Sequence, residues 1–330
     1  MAVLGGAALL SCGGPHASAE QESATPMSLR VVVGAEGRNE VDPRLFGHFL
    51  EIASWGELGP EAWADPETGE LPGVMVDLLE EMDVTFVRYP GGGDVPHIDW
   101  TDRIDNALGR EPGAGRPITK PDAETPIENK FGYDEYFALA ERLGWETMIP
   151  VNLLDALVPR KPLDEVAMHA AGLVAYVNAP RDAALPEGMP DWPAIRAANG
   201  RAEPYGVKVW QIGNEIFLFN HHTLGLREMD EAQRRDLGDR LVDAIVAIAD
   251  AMRAVDPDIE LMIDHNMGDR DMERRVWSDP AVRERIDWLT FHRYGPWAMN
   301  TVGLDGETLP PGEIGLDALW AGWVSMPGRL

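Results

Sequence analysis

The strongest constraint on this chain is the order in which short apolar runs and amphipathic stretches follow one another. From residue 45 the pattern reads β-α-β-α-β-α-β-α-β-α-β. Strand-like runs fall at Leu45–Ile52, Thr85–Tyr89, Glu146–Leu153, Val207–Glu215, Ile259–Asp264 and Trp288–Tyr294. Helical spacing predicts helices at about Gly73–Met82, Asp134–Leu143, Asp164–Val177 (with Asp164 as a candidate cap), Ala232–Val255 and Arg270–Arg285. In the longest of these, Leu237, Leu241, Ala244, Ile245, Ile248 and Met252 share one face. Strict alternation argues for parallel strands joined by helical crossovers. A length of 330 residues fits one large α/β barrel or two smaller domains. There is no internal repeat and no second compositional domain. The six strands counted are fewer than the eight that an eight-fold barrel needs.

In parallel barrels, chemistry sits at the C-terminal ends of the strands. The run Val207-Lys208-Val209-Trp210-Gln211-Ile212-Gly213-Asn214-Glu215 places a carboxylate at such an end, after two residues that disfavour a strand. Collected together, the strand ends supply Glu51, Arg88, Asn152, Asn214, Glu215, Asp264, His292 and Tyr294. Carboxylates, amides, a cation, an imidazole and a phenol suit a polyhydroxylated neutral ligand, which needs many oriented donors and acceptors. Trp55, Trp100 and Trp297 lie near these ends in sequence and could stack on sugar rings, although ordinary packing explains any single Trp better. Arg88, on an apolar strand, reads as an ion-pair partner, and pairing with Glu215 would tune that carboxyl. Alternation alone does not decide which of Asn214 and Glu215 points inward, and a bulge at the strand end would let both do so.

Other features exclude functions. Asp plus Glu number 56 against 28 Lys plus Arg, a formal net charge of −28 that repels phosphate backbones and makes nucleic acid an unsuitable partner. Gly91-Gly92-Gly93 lacks the Gly-Lys-Ser/Thr of a phosphate loop; these glycines let the backbone run close to a ligand. Adjacent His221 and His222 do not converge as metal ligands do, and read as loop residues. No metal cluster and no nucleotide fingerprint is present, so no cofactor is expected. Residues 94–130 form a long loop rich in Asp, Gly and Pro, a length that usually signals function. The single cysteine, Cys12, rules out a disulfide within the chain and a Cys-based zinc site. It follows an apolar run, Ala2–Leu10, in a manner that resembles a bacterial lipoprotein signal with a lipid anchor at Cys12. The positive segment that should precede the run is missing, and Leu10 fits the cleavage pattern poorly, so export and a merely disordered leader both stay open. No run approaches the ~20 apolar residues of a membrane span.

A set of motifs narrows the reading further. Phe46-Gly47-His48-Phe49-Leu50-Glu51, Val87-Arg88-Tyr89-Pro90-Gly91-Gly92, Asn129-Lys130-Phe131-Gly132 before Glu135-Tyr136, Asn199-Gly200, Pro204-Tyr205-Gly206-Val207-Lys208-Val209-Trp210, Ile212-Gly213-Asn214-Glu215 and Leu289-Thr290-Phe291-His292-Arg293-Tyr294 occur in order. Together they resemble family-51 glycoside hydrolases, chiefly α-L-arabinofuranosidases, over roughly residues 29–295. Gly-Asn-Glu alone recurs across a wider clan of barrel glycosidases, so the specificity lies in the ordered set. The resemblance implies a (β/α)8 TIM-type barrel and a retaining, two-carboxylate mechanism acting on a carbohydrate substrate. It implies Glu215 as general acid/base and Asn214 as the amide on the sugar 2-hydroxyl. Glu51 would bind arabinose hydroxyls, Arg88 would support the carboxylates, and His292 and Tyr294 would end strand six, with the tyrosine near the nucleophile.

Two departures from that pattern matter. Family members usually carry Asn or Cys after Pro-Gly-Gly, where this chain has Gly93. The family's nucleophile is a glutamate on strand seven. After Tyr294 the chain offers only Asp305, Glu307, Glu313 and Asp317, none of which ends an apolar strand. No nucleophile is therefore identified, and Asp264 is the nearest substitute by topology. The expectation is a C-terminally truncated barrel at 45–330, incomplete with about six of eight strands. Residues 27–44 would be an N-terminal strand segment separated from its partner sandwich, and 1–26 a leader and tether. An unclosed barrel should leave edge strands unpaired and apolar faces uncovered. Alternatives to arabinofuranoside hydrolysis are β-xylosidase or endoglucanase action, or a non-catalytic fragment.

Overall fold

The structure is a computed structural model, and it describes residues 41–52, 59–111, 114–117, 129–158 and 161–292. The leader, Cys12, residues 27–40 of the expected N-terminal strand segment, Trp55, Tyr294, Trp297 and the four late carboxylates lie outside these residues. Six strands are described: β1 (His48–Phe49), β2 (Phe86–Arg88), β3 (Glu146–Val151), β4 (Val209–Ile212), β5 (Glu260–Asp264) and β6 (Trp288–Thr290). The helices are α1 (Gly73–Glu81), α2 (Tyr133–Leu143), α3 (Leu163–Asn178), α4 (Trp192–Ala198), α5 (Ile216–His222), α6 (Glu231–Val255), α7 (Arg270–Ser278) and α8 (Pro280–Arg283). Every strand pairs parallel with its successor, in the order β1-β2-β3-β4-β5-β6. This is the α/β half of a barrel that the alternation implies.

The parallel register sorts the side chains. Val209 and Gln211 pair with Glu260 and Met262, while Trp210 and Ile212 pair with Leu261 and Ile263. Side chains of paired residues share a face. Trp210, Ile212, Leu261 and Ile263 are fully buried, and they belong to the same apolar core as the inner faces of α3 and α6. In α6 the buried stripe is Leu237, Leu241, Ala244, Ile245, Ile248, Ala249 and Met252, the face that helical spacing predicts. Asp230 caps this helix, accepting from Gln233 N while Gln233 Oε1 accepts from Asp230 N, both at 2.9 Å.

Asn178, the last residue of α3, fixes where β4 enters. Its side chain accepts from Val207 N at 2.8 Å and donates to Val207 O at 2.7 Å, pairing with the backbone as a strand neighbour would. Residues 178–205, where helical spacing predicts no helix, contain α4. Asp191 caps it through Ala194 N, and Pro193 sits in its first turn. The buried Arg196 of α4 donates to the carbonyls of Tyr176 and Ala179, a cation closing the C-terminus of α3.

Other boundaries also differ from the sequence reading. Strand β1 keeps only His48–Phe49 of the expected Leu45–Ile52, because Asp42 and Pro43 start a 3-10 turn over Pro43–Phe46. Asp164 lies inside the first turn of α3, and the cap position is Pro162. The His221–His222 pair sits in the last turn of α5 rather than in a loop. The long segment after β2 carries 3-10 turns at Val95–His97 and Trp100–Arg103. Among the described residues the edge strands expose apolar side chains, as expected of an open sheet: Phe49 is 52% exposed on β1 and Leu289 56% on β6.

The buried stripe of α6 carries the fold's testable claim. Replacing Ile245, fully buried, with Ala is expected to cost about 2–5 kcal/mol of unfolding free energy. Replacing Arg235, on the exposed face, should stay within about 0.5 kcal/mol. Urea denaturation of the two variants measures the difference.

Candidate active site

Alternation carries one face of each strand into the barrel interior, and the polar residues gather where those faces reach the strand ends. Arg88 of β2 is 8% exposed, and its guanidinium stands 5.1 Å from the Phe49 ring. Arg88 Nη1 donates to Asn214 Oδ1 at 2.8 Å. The backbone then turns through Pro90-Gly91-Gly92, and Gly92 N donates to Glu51 Oε2 at 3.0 Å. A side chain at Gly92 would begin 2.8 Å from Arg88 Nη2 and 3.3 Å from both Asn214 Nδ2 and Glu51 Oε1. Three polar groups from three strand ends therefore converge on one point that only glycine leaves open. At Gly91, whose φ is +76°, a side chain would collide with Glu51 Oε2.

Glu215 is placed by a turn rather than by a bulge. β4 stops at Ile212, Gly213 takes φ 73°, and Glu215 takes φ 46° and ψ 54° before α5 begins. Two left-handed residues within three positions swing both Asn214 and Glu215 off the strand's alternation. Asn214 is 1% exposed and reaches Arg88, while the Glu215 carboxyl meets His292 Nδ1 at 3.1 Å. The His292 and Glu215 side chains are 14% and 15% exposed, a largely buried pair at the edge of the interior.

Of the sequence-selected residues, the structure thus groups Glu51, Arg88 and Asn214, and separately pairs Glu215 with His292. Asp264 ends β5 as expected and is wholly buried. Burial pushes its carboxyl above the usual carboxylate range; the Asn266 amide, His292 and His265 pull it back, and Glu215 raises it further. Asn152 accepts from Asp155 N at 3.2 Å, so its side chain is engaged by the turn after β3. Trp100 is buried against Trp192 and Tyr176, so it is core and not a sugar platform. Among the described residues no group of three or more His, Cys, Asp or Glu could hold a metal ion, and no helix is long and apolar enough to cross a membrane.

Sequence reasoning passed over Gln211. It is wholly buried on the interior face of β4 and donates to Asn214 Oδ1 at 3.4 Å. The available signal was a lone amide inside the apolar run Val209–Ile212. Reasoning also passed over Arg103, buried with Glu61 as an ion pair in the loops behind the site. Arg103 donates to Tyr89 Oη at 2.8 Å and to Phe131 O at 2.7 Å, and Tyr89 stacks on Tyr136 at 4.2 Å. That network backs the Arg88–Gly92 turn.

The family of the alpha-L-arabinofuranosidase 1 domain matches the chain over residues 78–305. An intracellular exo-α-(1→5)-L-arabinofuranosidase of Streptomyces lividans is 30% identical over 264 residues, which make up 77% of this chain and 35% of that protein. An exo-α-(1→6)-L-arabinofuranosidase of Bifidobacterium longum is 31% identical over 296 residues, covering 87% of this chain and 49% of its own length. Among solved structures, a family 51 α-L-arabinofuranosidase from Bifidobacterium longum superposes with a TM-score of 0.54 at 26% identity, over 76% of this chain and 44% of that one. The chain spans less than half the length of these relatives.

The glycine turn yields a direct test of the site's geometry. Gly91→Ala combines a positive φ with a collision against Glu51, so it should destabilise the fold by about 1–3 kcal/mol. Gly109→Ala, also at positive φ but facing open space, should cost less. Thermal denaturation of both variants checks the order.

Proposed function

This chain belongs to the family of the alpha-L-arabinofuranosidase 1 domain, and on that premise we propose that its strand ends form the acid/base side of a retaining glycoside hydrolase that removes terminal α-L-arabinofuranosyl units. Glu215 is the general acid/base. In the first step its proton passes to the glycosidic oxygen as the leaving group departs. In the second its carboxylate takes a proton from the water that releases the sugar. Asn214 holds the sugar 2-hydroxyl, with Arg88 and Gln211 fixing the amide's orientation. Glu51, anchored by Gly92 N, accepts from further ring hydroxyls. His292 orients the Glu215 carboxyl. Tyr294 is proposed from the sequence motif alone, as a contact to the carboxylate that forms the glycosyl-enzyme. That second carboxylate is not assigned in this chain.

The observation that carries the reading is the convergence of Glu51, Arg88 and Asn214 on Gly92 beside the Glu215–His292 pair. Two polar atoms there, Asn214 Nδ2 and Gln211 Oε1, are buried without a hydrogen-bond partner among the described residues. Groups of this kind are expected where a ligand completes the hydrogen bonding. The names of the relatives support arabinofuranose as the sugar. Those names carry two different linkages, so linkage stays outside the proposal. The barrel is taken as residues 45–330. Glycoside hydrolysis of this type needs carboxylates and water, so we propose no cofactor. An anchor at Cys12 remains a reading of the sequence, and the word intracellular in the relatives' names weighs against it.

Release of 4-nitrophenol from 4-nitrophenyl α-L-arabinofuranoside tests the reading. Glu215→Gln should lower kcat about 10²–10⁴-fold. Unchanged activity in that variant would remove Glu215 from the role. Preference for the aryl β-xyloside over the arabinofuranoside would replace the proposed sugar.

A further inference from the structure

Asp264 has no part in the chemistry just proposed, yet it is the most deeply buried carboxylate among the described residues. It pairs with Thr290 in the β5–β6 ladder, so the two side chains share the interior face. His292, two residues past Thr290, continues that face. On the other side β4 runs alongside β5, and its chain exits through Gly213 and Asn214 to Glu215. Asp264 is 0% exposed. Its Oδ1 accepts from Asn266 N at 3.1 Å, while Oδ2, buried, has no hydrogen-bond partner among the described residues. Thr290 Oγ1 beside it is likewise buried without one.

We propose that Asp264 is a positioning residue for the acid/base group: its buried carboxyl, on the strand between those that deliver Glu215 and His292, acts on the Glu215–His292 hydrogen bond and sets the pH range over which Glu215 holds its proton. This rests on the reading of Glu215 as acid/base. Because it is sealed from solvent, Asp264 does not meet substrate and acts only through its neighbours. The ionisable groups that face it are His292 after β6, Glu215 after β4 and His265 at its own strand end. Over the pH range in which Asp264 is ionised, its charge beside Glu215 favours the protonated acid that the first step needs. The coupling is reciprocal: if His292 and Glu215 bias the Asp264 proton, Asp264 biases theirs by the same free energy.

Two measurements decide the matter, and the first needs no activity. In protein labelled with ¹³C at aspartate Cγ, Asp264 should titrate above the ordinary carboxylate range, because burial raises it. Removing the imidazole in His292→Gln should move that midpoint further up, and removing the neighbouring carboxyl in Glu215→Gln should move it down. Each shift should be about half a pH unit or more. Shifts of opposite sign support the coupling. A midpoint that moves in neither variant shows a carboxyl perturbed by burial alone and overturns the proposal. The second measurement is the pH profile of kcat/KM in Asp264→Asn, where the amide oxygen can still accept from Asn266 N. The alkaline limb should move towards acid, since Glu215 has lost a negative neighbour. An alkaline limb identical to that of the unmodified chain also overturns the proposal. If the chain releases no arabinose at all, as a chain without its second carboxylate would not, the carboxyl titrations alone decide whether Asp264 is coupled to its neighbours.

Discussion

The site depends on the parallel register of the sheet. In a parallel ladder, paired residues share a face, so register alone places Arg88 with Met148, Gln211 with Met262 and Asp264 with Thr290. A slip of one residue would turn Trp210, Ile212, Leu261 and Ile263 into the interior and push Gln211 and Asp264 against α3 and α6. Burying those four apolar side chains on the outer face stabilises the register strongly, at roughly 1.5–3 kcal/mol for each fully buried aliphatic side chain. The apolar layer that holds the barrel together thus decides which polar side chains face inward.

Register delivers side chains only as far as the strand ends, and the last step is made by backbone in sparsely populated conformations. Glu215 at φ 46° lies in the left-handed region, which costs a side-chain-bearing residue about 1–2 kcal/mol. Gly213 takes a similar φ without that cost. The two together present Asn214 to Arg88 and Glu215 to His292 from adjacent positions. Neither α-helix nor β-strand geometry would direct adjacent side chains to separate partners on the same side. Gly91 and Gly92 complete the arrangement by letting the β2 turn pass within hydrogen-bonding reach of Glu51. The chain as a whole carries a formal net charge of −28, while the cation Arg88 is held among an amide, a ring and the glycine turn.

Much of this was legible in the sequence because the signals were periodic. The alternation of strands and helices gave the sheet, and the α6 stripe is the one read from spacing. The grouping of Glu51, Arg88 and Asn214 followed from assigning them to strand ends. What escaped reading depended on contacts without period. Helix α4 is short, and it is held by Asp191 and Arg196 rather than by an amphipathic face of useful length. The His221–His222 pair was misplaced because the turn over residues 213–215 starts a new helix at Ile216, where a loop was expected. Ordinary packing, the better reading of any single Trp in the sequence, holds for Trp100, which is buried against Trp192 and Tyr176. The pairing of Arg103 with Glu61 joins segments 42 residues apart, which no local pattern records.

The central claim is that Glu51, Asn214 and Glu215 bind one arabinofuranosyl ring at the strand ends. A crystal structure of the Glu215→Gln variant with an aryl α-L-arabinofuranoside bound tests it most directly. The predicted result places the ring hydroxyls within hydrogen-bond distance of Glu51 and Asn214, with the side chain at position 215 against the glycosidic oxygen. A sugar bound elsewhere, or one whose 2-hydroxyl faces away from Asn214, would contradict it.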